Sequence, residues 1–143
     1  MDNERKIQTL QNFYVAAIAD AAFQFTSEGV MQGVEKRKKA MQAKTAHNMI
    51  QSLGIVKMED AFLKTAELIN CAGWVIENND KGFKAVSKTC KLAAIAKKMG
   101  SESPCNMYCL NPLETMVKAV NPDVLFETKS TLWDEKECRV DVK

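Results

Sequence analysis

At 143 residues and 16.0 kDa the chain has the length of one ordinary domain, long enough to bury a core without disulfide staples. Hydrophobic residues make up 46% and charged residues 27%, with Lys plus Arg at 20 against Asp plus Glu at 18. That balance excludes a disordered chain, and a net charge of +2 implies neither a nucleic-acid nor a membrane partner, since no run approaches the ~18 apolar residues of a span. The polar opening "MDNERKIQTL" lacks the apolar stretch of a signal peptide, and five cysteines is an odd number; both point to the cytoplasm and to reduced thiols.

The first predicted helix lies within "NERKIQTLQNFYVAAIADAAFQFTSEG", where Ile7, Leu10, Tyr14, Ala17, Ile18, Ala21 and Phe25 recur at three and four and Gly29 ends the run. A second helix is expected from Val30 to about Ser52, polar apart from Val34, Met41 and Met49, with Gly54 as its stop. The third, from about Glu59 to Asn70, carries Phe62, Leu63, Ala66, Leu68 and Ile69 on its apolar face.

The period then changes. "WVIENNDKGFKAVSKTC" holds two β-favouring runs, Trp74 to Glu77 and Phe83 to Thr89, around the turn formers Asn78 to Gly82, and so predicts a hairpin. "KLAAIAKKMG" returns to helix, "SPCNMYCL" makes a further turn or two, and Asn111-Pro112-Leu113-Glu114 has the ingredients of a fresh helix start. That helix stops before Asn121-Pro122. "VLFETKSTLWDEKECRVDVK" alternates in period two and breaks at Asp134 to Glu137, giving a second hairpin whose last strand is Cys138 to Val142. The order predicts a single α+β domain over 1–143: residues 1–70 are mainly helical, and 71–143 supply two hairpins that make one antiparallel sheet of about four strands, with helices between them.

Most enzyme signatures are missing: there is no Gly-rich phosphate loop, G-x-S-x-G elbow, H-E-x-x-H pair or C-x-x-C pair. The lone histidine, His47, stands among polar residues and reads as an exposed, idle imidazole. "VEKRKKAMQAK" is either a solvated face or an anion site, and in the second case Arg37 is the residue of choice, because its planar fork binds a carboxylate bidentately. Cys105 and Cys109 are four apart, so on a helix both thiolates can reach one ion, with Cys138, Cys90 and Glu127 available to complete a shell. The alternative is that these cysteines are small buried hydrophobes. An apolar cavity beside Tyr108 and Trp133 would instead indicate a small-molecule sensor.

The stretch from Cys90 to Val140, "CKLAAIAKKMGSESPCNMYCLNPLETMVKAVNPDVLFETKSTLWDEKECRV", resembles a pattern of cysteine, amphipathic helix, second cysteine, glutamate-bearing strand and a final hairpin with a cysteine after its turn. The pattern is that of L-2-amino-thiazoline-4-carboxylate hydrolase-like proteins and, more distantly, of 4-vinyl-reductase-type small-molecule-binding domains. The resemblance implies an α+β domain that forms homodimers and binds a small-molecule ligand, with zinc or iron held by Cys105, Glu127 and Cys138. Ser130 stands where relatives carry another cysteine, and Cys109 is the substitute within reach. As a hydrolase the protein would open a thiazoline ring or a related cyclic C–N bond, with Cys90 or Cys105 as nucleophile. As a binding domain it would use Tyr108, Trp133 and Arg37; a structural dimerising subunit is the third possibility.

Overall fold

The protein, described over Met1–Lys143 in a computed structural model, begins with three helices, α1 (Asn3–Ser27), α2 (Met31–Leu53) and α3 (Met58–Ile69). Asp2 caps α1 by accepting the Arg5 N–H at 2.8 Å. The left-handed residues Gly54 (φ 64°) and Asn70 (φ 54°) close α2 and α3. A hairpin follows, β1 (Ala72–Asn79) and β2 (Gly82–Cys90), then α4 (Lys91–Met99), a π-helical turn (Asn106–Leu110) that runs into α5 (Asn111–Val120), and the closing pair β3 (Phe126–Ser130) and β4 (Cys138–Val142). The strands form one antiparallel sheet in the order β1-β2-β4-β3. The expected α+β architecture is the observed one.

Period-two alternation makes the sheet one-sided. Trp74, Phe83, Ala85, Ser87, Val140 and Val142 are buried on one face. On the other face stand Glu77, Lys84, Arg139, Asp141, Glu127 and Lys129, joined by ion pairs such as Lys84–Glu77 (3.0 Å) and Arg139–Asp141 (3.1 Å). α3 and α5 cover the apolar face. Phe62 of α3 is completely buried and meets Trp74 edge-on at 5.2 Å between centroids, Phe83 edge-on at 5.9 Å and Phe126 in a stack at 6.2 Å. Leu113, Met116 and Val117 of α5 complete this core.

Two local readings change. Asn111 does not start a fresh helix. It is in the right-handed helical region (φ −63°, ψ −46°), and its N–H reaches the carbonyl of Asn106, five residues back. Proline at 112 cannot donate to the carbonyl of residue 108 and crowds it, and the wider π turn just before it relieves that conflict without breaking the helix. In α1 the apolar stripe is two stripes. Val15, Ala19 and Ala22 are buried, the first two against α4 residue Leu92 and the third beside Met31 and Met107, while Ala17 is exposed and Ile7, Leu10 and Tyr14 face elsewhere. Both α2 and α3 likewise bury fewer residues than their patterns suggest: Met41, Met49, Leu63 and Leu68 remain exposed.

Truncating the centre of the core should be costly: Phe62→Ala is expected to lose about 3–5 kcal/mol in urea unfolding. The start of α3 has a pH-sensitive lock. The Asp60 carboxylate accepts the N–H of Lys57 (2.9 Å) and of Val56 (3.0 Å), and these bonds hold its pKa below the ordinary value. A folded-state pKa below the unfolded one contributes stability above the unfolded value, and that contribution disappears as pH falls through the folded one. Asp60→Ala should therefore cost about 1 kcal/mol at neutral pH and progressively less as pH falls below about 4, as measured by paired denaturant titrations.

Candidate functional site

The N-terminal half of α1, the second half of α2, the end of α3 and the π-helical turn with α5 do not close on one another. Between them lies a cleft of about 620 Å³, within the range of small-molecule sites. Each wall is a helical stripe: Ile7, Leu10 and Tyr14 on α1, with spacings of three and four, and Lys38, Gln42, Thr45 and Met49 on α2, with spacings of four, three and four. Leu68 and Ile69 come from α3, and Met107 and Tyr108 from the π-helical turn. Gln11 fixes the α1 wall by donating from Nε2 to the carbonyl of Leu68 (2.9 Å), which satisfies one of the free carbonyls at the end of α3.

Two polar groups stand on this apolar lining. Lys38 Nζ lies 5.3 Å from the centroid of the Tyr108 ring, so an ammonium charge is held over the aromatic face. Gln42 Nε2 donates to the carbonyl of Met107 at 3.1 Å, but its Oε1 is buried with no hydrogen-bond partner. An unpaired buried acceptor of this kind costs about 1–3 kcal/mol. Burial raises the pKa of both Tyr14 and Tyr108, keeping their hydroxyls neutral and able to donate.

The residues expected to bind a ligand are not brought together. Tyr108 lines the cleft. Arg37 is exposed one position away from Lys38, which takes the inward place. Trp133 lies in the β3–β4 connection beneath Lys97 Nζ, 5.2 Å from its ring centroid, and lines no part of the cleft. Lys38 and Gln42 share one helical face with Thr45 and Met49.

The proposed zinc or iron ligands do not form a metal site. Sheet parity separates Glu127 from the cysteines. Cys138 faces the core with Val140 and Val142, whereas Glu127 pairs with Asp141 across β3 and β4 and so faces the opposite side. There the Glu127 carboxylate is held by Lys129 and by Lys143 (3.6 Å), and its pKa is lowered by them, Lys129 first. No three His, Cys, Asp or Glu side chains stand close enough together to hold an ion, and Ser130 donates its hydroxyl to the Glu137 carbonyl at 2.9 Å. Cys105 and Cys109 pack against the main core. Burial raises both thiols and pushes Cys138 up to about 11, which favours the protonated form that binds metal poorly.

For a thiol nucleophile the two candidates diverge. Cys105 is raised by burial. Cys90 caps α4, its Sγ accepting the Ala93 N–H at 3.4 Å, and its pKa is lowered by a hydrogen bond from the Cys71 thiol and then by the α4 amides. The one histidine, His47, is exposed on α2. No helix is long and apolar enough to cross a membrane. No protein-family model, curated protein or solved structure matches the chain.

Proposed function

We propose that this protein is a cytoplasmic small-molecule-binding domain that holds an apolar ligand in the cleft between α1, α2, α3 and α5. The unpaired Oε1 of Gln42 carries the reading. It calls for an N–H or O–H donor on the ligand, and Lys38 nearby calls for an anionic group, so the preferred ligand is an apolar ring system or chain bearing one donor and one acidic group. A hydrolytic role has less support. Hydrolysis needs an activated water and a group to stabilise developing charge, and the cleft supplies neither a histidine nor a carboxylate.

The probe 1-anilinonaphthalene-8-sulfonate has all three features: an apolar body, an N–H donor and a sulfonate. Its fluorescence should rise saturably with one site per chain. Gln42→Leu and Lys38→Met should each weaken binding about 5–10-fold, the equivalent of one hydrogen bond or one partly screened charge. Val56→Ser, on an exposed apolar residue outside the cleft, should leave it unchanged. Non-saturating binding, or equal weakening by all three variants, would sink the proposal.

A further inference from the structure

All five cysteines are free, and they come from five separate places in the fold: the start of β1, the end of β2, either side of the entry to the π-helical turn, and the start of β4. The Cys90 charge is felt by Cys71, Cys105, Cys109 and Cys138, so they gather in one region. Within it one pair is in contact: Cys71 Sγ and Cys90 Sγ are 3.8 Å apart. Their backbones are tied together, since the Lys91 N–H donates to the Cys71 carbonyl at 3.0 Å and Ala72 is the cross-strand partner of Cys90. Both residues are half-buried and pack against the cluster of Val15, Ala19 and Leu92, as do Ile69 and Tyr108, two residues that line the cleft.

The two sulfurs are inequivalent. Cys90 is the N-cap of α4, with the Ala93 N–H on its sulfur. Cys71 shares only the Leu92 amide, whereas Cys90 has those of both Ala93 and Leu92, so in the S–H···S contact Cys90 is the sulfur favoured as thiolate and Cys71 the one that keeps its proton. Bringing the sulfurs from 3.8 Å to the ~2.05 Å of a disulfide is a small displacement for two residues already joined through the sheet.

We propose that Cys71 and Cys90 form a reactive dithiol that undergoes reversible exchange with low-molecular-weight disulfides and closes to an internal disulfide. The Cys90 thiolate attacks one sulfur of R–S–S–R, the S–S bond breaks, and RS⁻ leaves. The departing thiolate takes the Cys71 proton. The Cys71 thiolate then attacks Cys90 Sγ, breaking the mixed disulfide and releasing a second RS⁻, which is protonated by solvent in place of the proton Cys90 gave up on ionising. Two protein thiols are oxidised by two electrons and one small disulfide is reduced to two thiols. Cys105, Cys109 and Cys138 take no part, because none is in sulfur contact with the pair and burial keeps each protonated.

The test uses the full chain, reduced, freed of reductant, equilibrated across buffers of reduced and oxidised glutathione, quenched by alkylation and mapped by mass spectrometry. Wild type should acquire a Cys71–Cys90 link while the other three cysteines are alkylated. Cys71→Ser should stop at one glutathione on Cys90, and Cys90→Ser should react at least ~10-fold more slowly at residue 71, matching the loss of the activated thiol. Absence of the Cys71–Cys90 link in wild type overturns the proposal, as does an equal yield of links to Cys105, Cys109 or Cys138. The wild-type map decides the matter even if a serine variant fails to fold.

Discussion

Phe62 touches the rings of Trp74, Phe83 and Phe126, and through them one side chain of α3 contacts three of the four strands. The sheet has a single apolar face and cannot be stable while that face is wet; α3 and α5 cover it, and Phe62 fixes where α3 sits. The remaining helices take their places from this pair. α2 packs along α5 and touches the sheet's core only through Ile50 and Leu53 near its end, while α1 packs along α4, away from that core.

That hierarchy explains the cleft. α1 is 25 residues long, yet its buried residues, Val15, Ala19 and Ala22, all lie from its middle onward. Small alanines let that part approach α4 closely, while the earlier turns carry the larger Ile7, Leu10 and Tyr14, which stay exposed. The π-helical turn contributes on the opposite wall. Its wider winding places Met107, fully buried, so that its carbonyl meets Gln42, and presents Tyr108 to Lys38. Cys71 and Cys90 pack against the same cluster of Val15, Ala19 and Leu92 as Ile69 and Tyr108 of the cleft wall.

Much of this was legible in the sequence. The helices end at Gly54, Gly100 and the residue before Pro122 because those residues impose their own backbone preferences whatever surrounds them. Strand parity was legible too: Phe126 inward forces Glu127 outward, and Val140 and Val142 inward carry Cys138 with them, which was enough to separate Glu127 from Cys138 before any coordinates. What could not be read was long-range. Cys71 and Cys90 meet only because β1 pairs with β2 in one register, and spacing in the chain says nothing about a contact between residues 19 apart. The π turn was hidden because Asn-Pro-Leu-Glu matches a helix start equally well, and only packing on both sides chooses a continuous helix. Likewise the choice of Lys38 over Arg37 depends on the exact rotation of α2 against α5.

The strand order β1-β2-β4-β3 puts the last strand of the chain second from the edge, between β2 and β3. Val140 and Val142 are thus central to a core whose other members all precede them. During synthesis, the β1–β2 hairpin and the first three helices emerge with the apolar face of the sheet half built, and β3 has no partner until Cys138–Val142 leaves the ribosome. The sheet is consequently completed only when β4 arrives, and until then the strand edge of β2 is open to chaperones, or to a neighbouring copy.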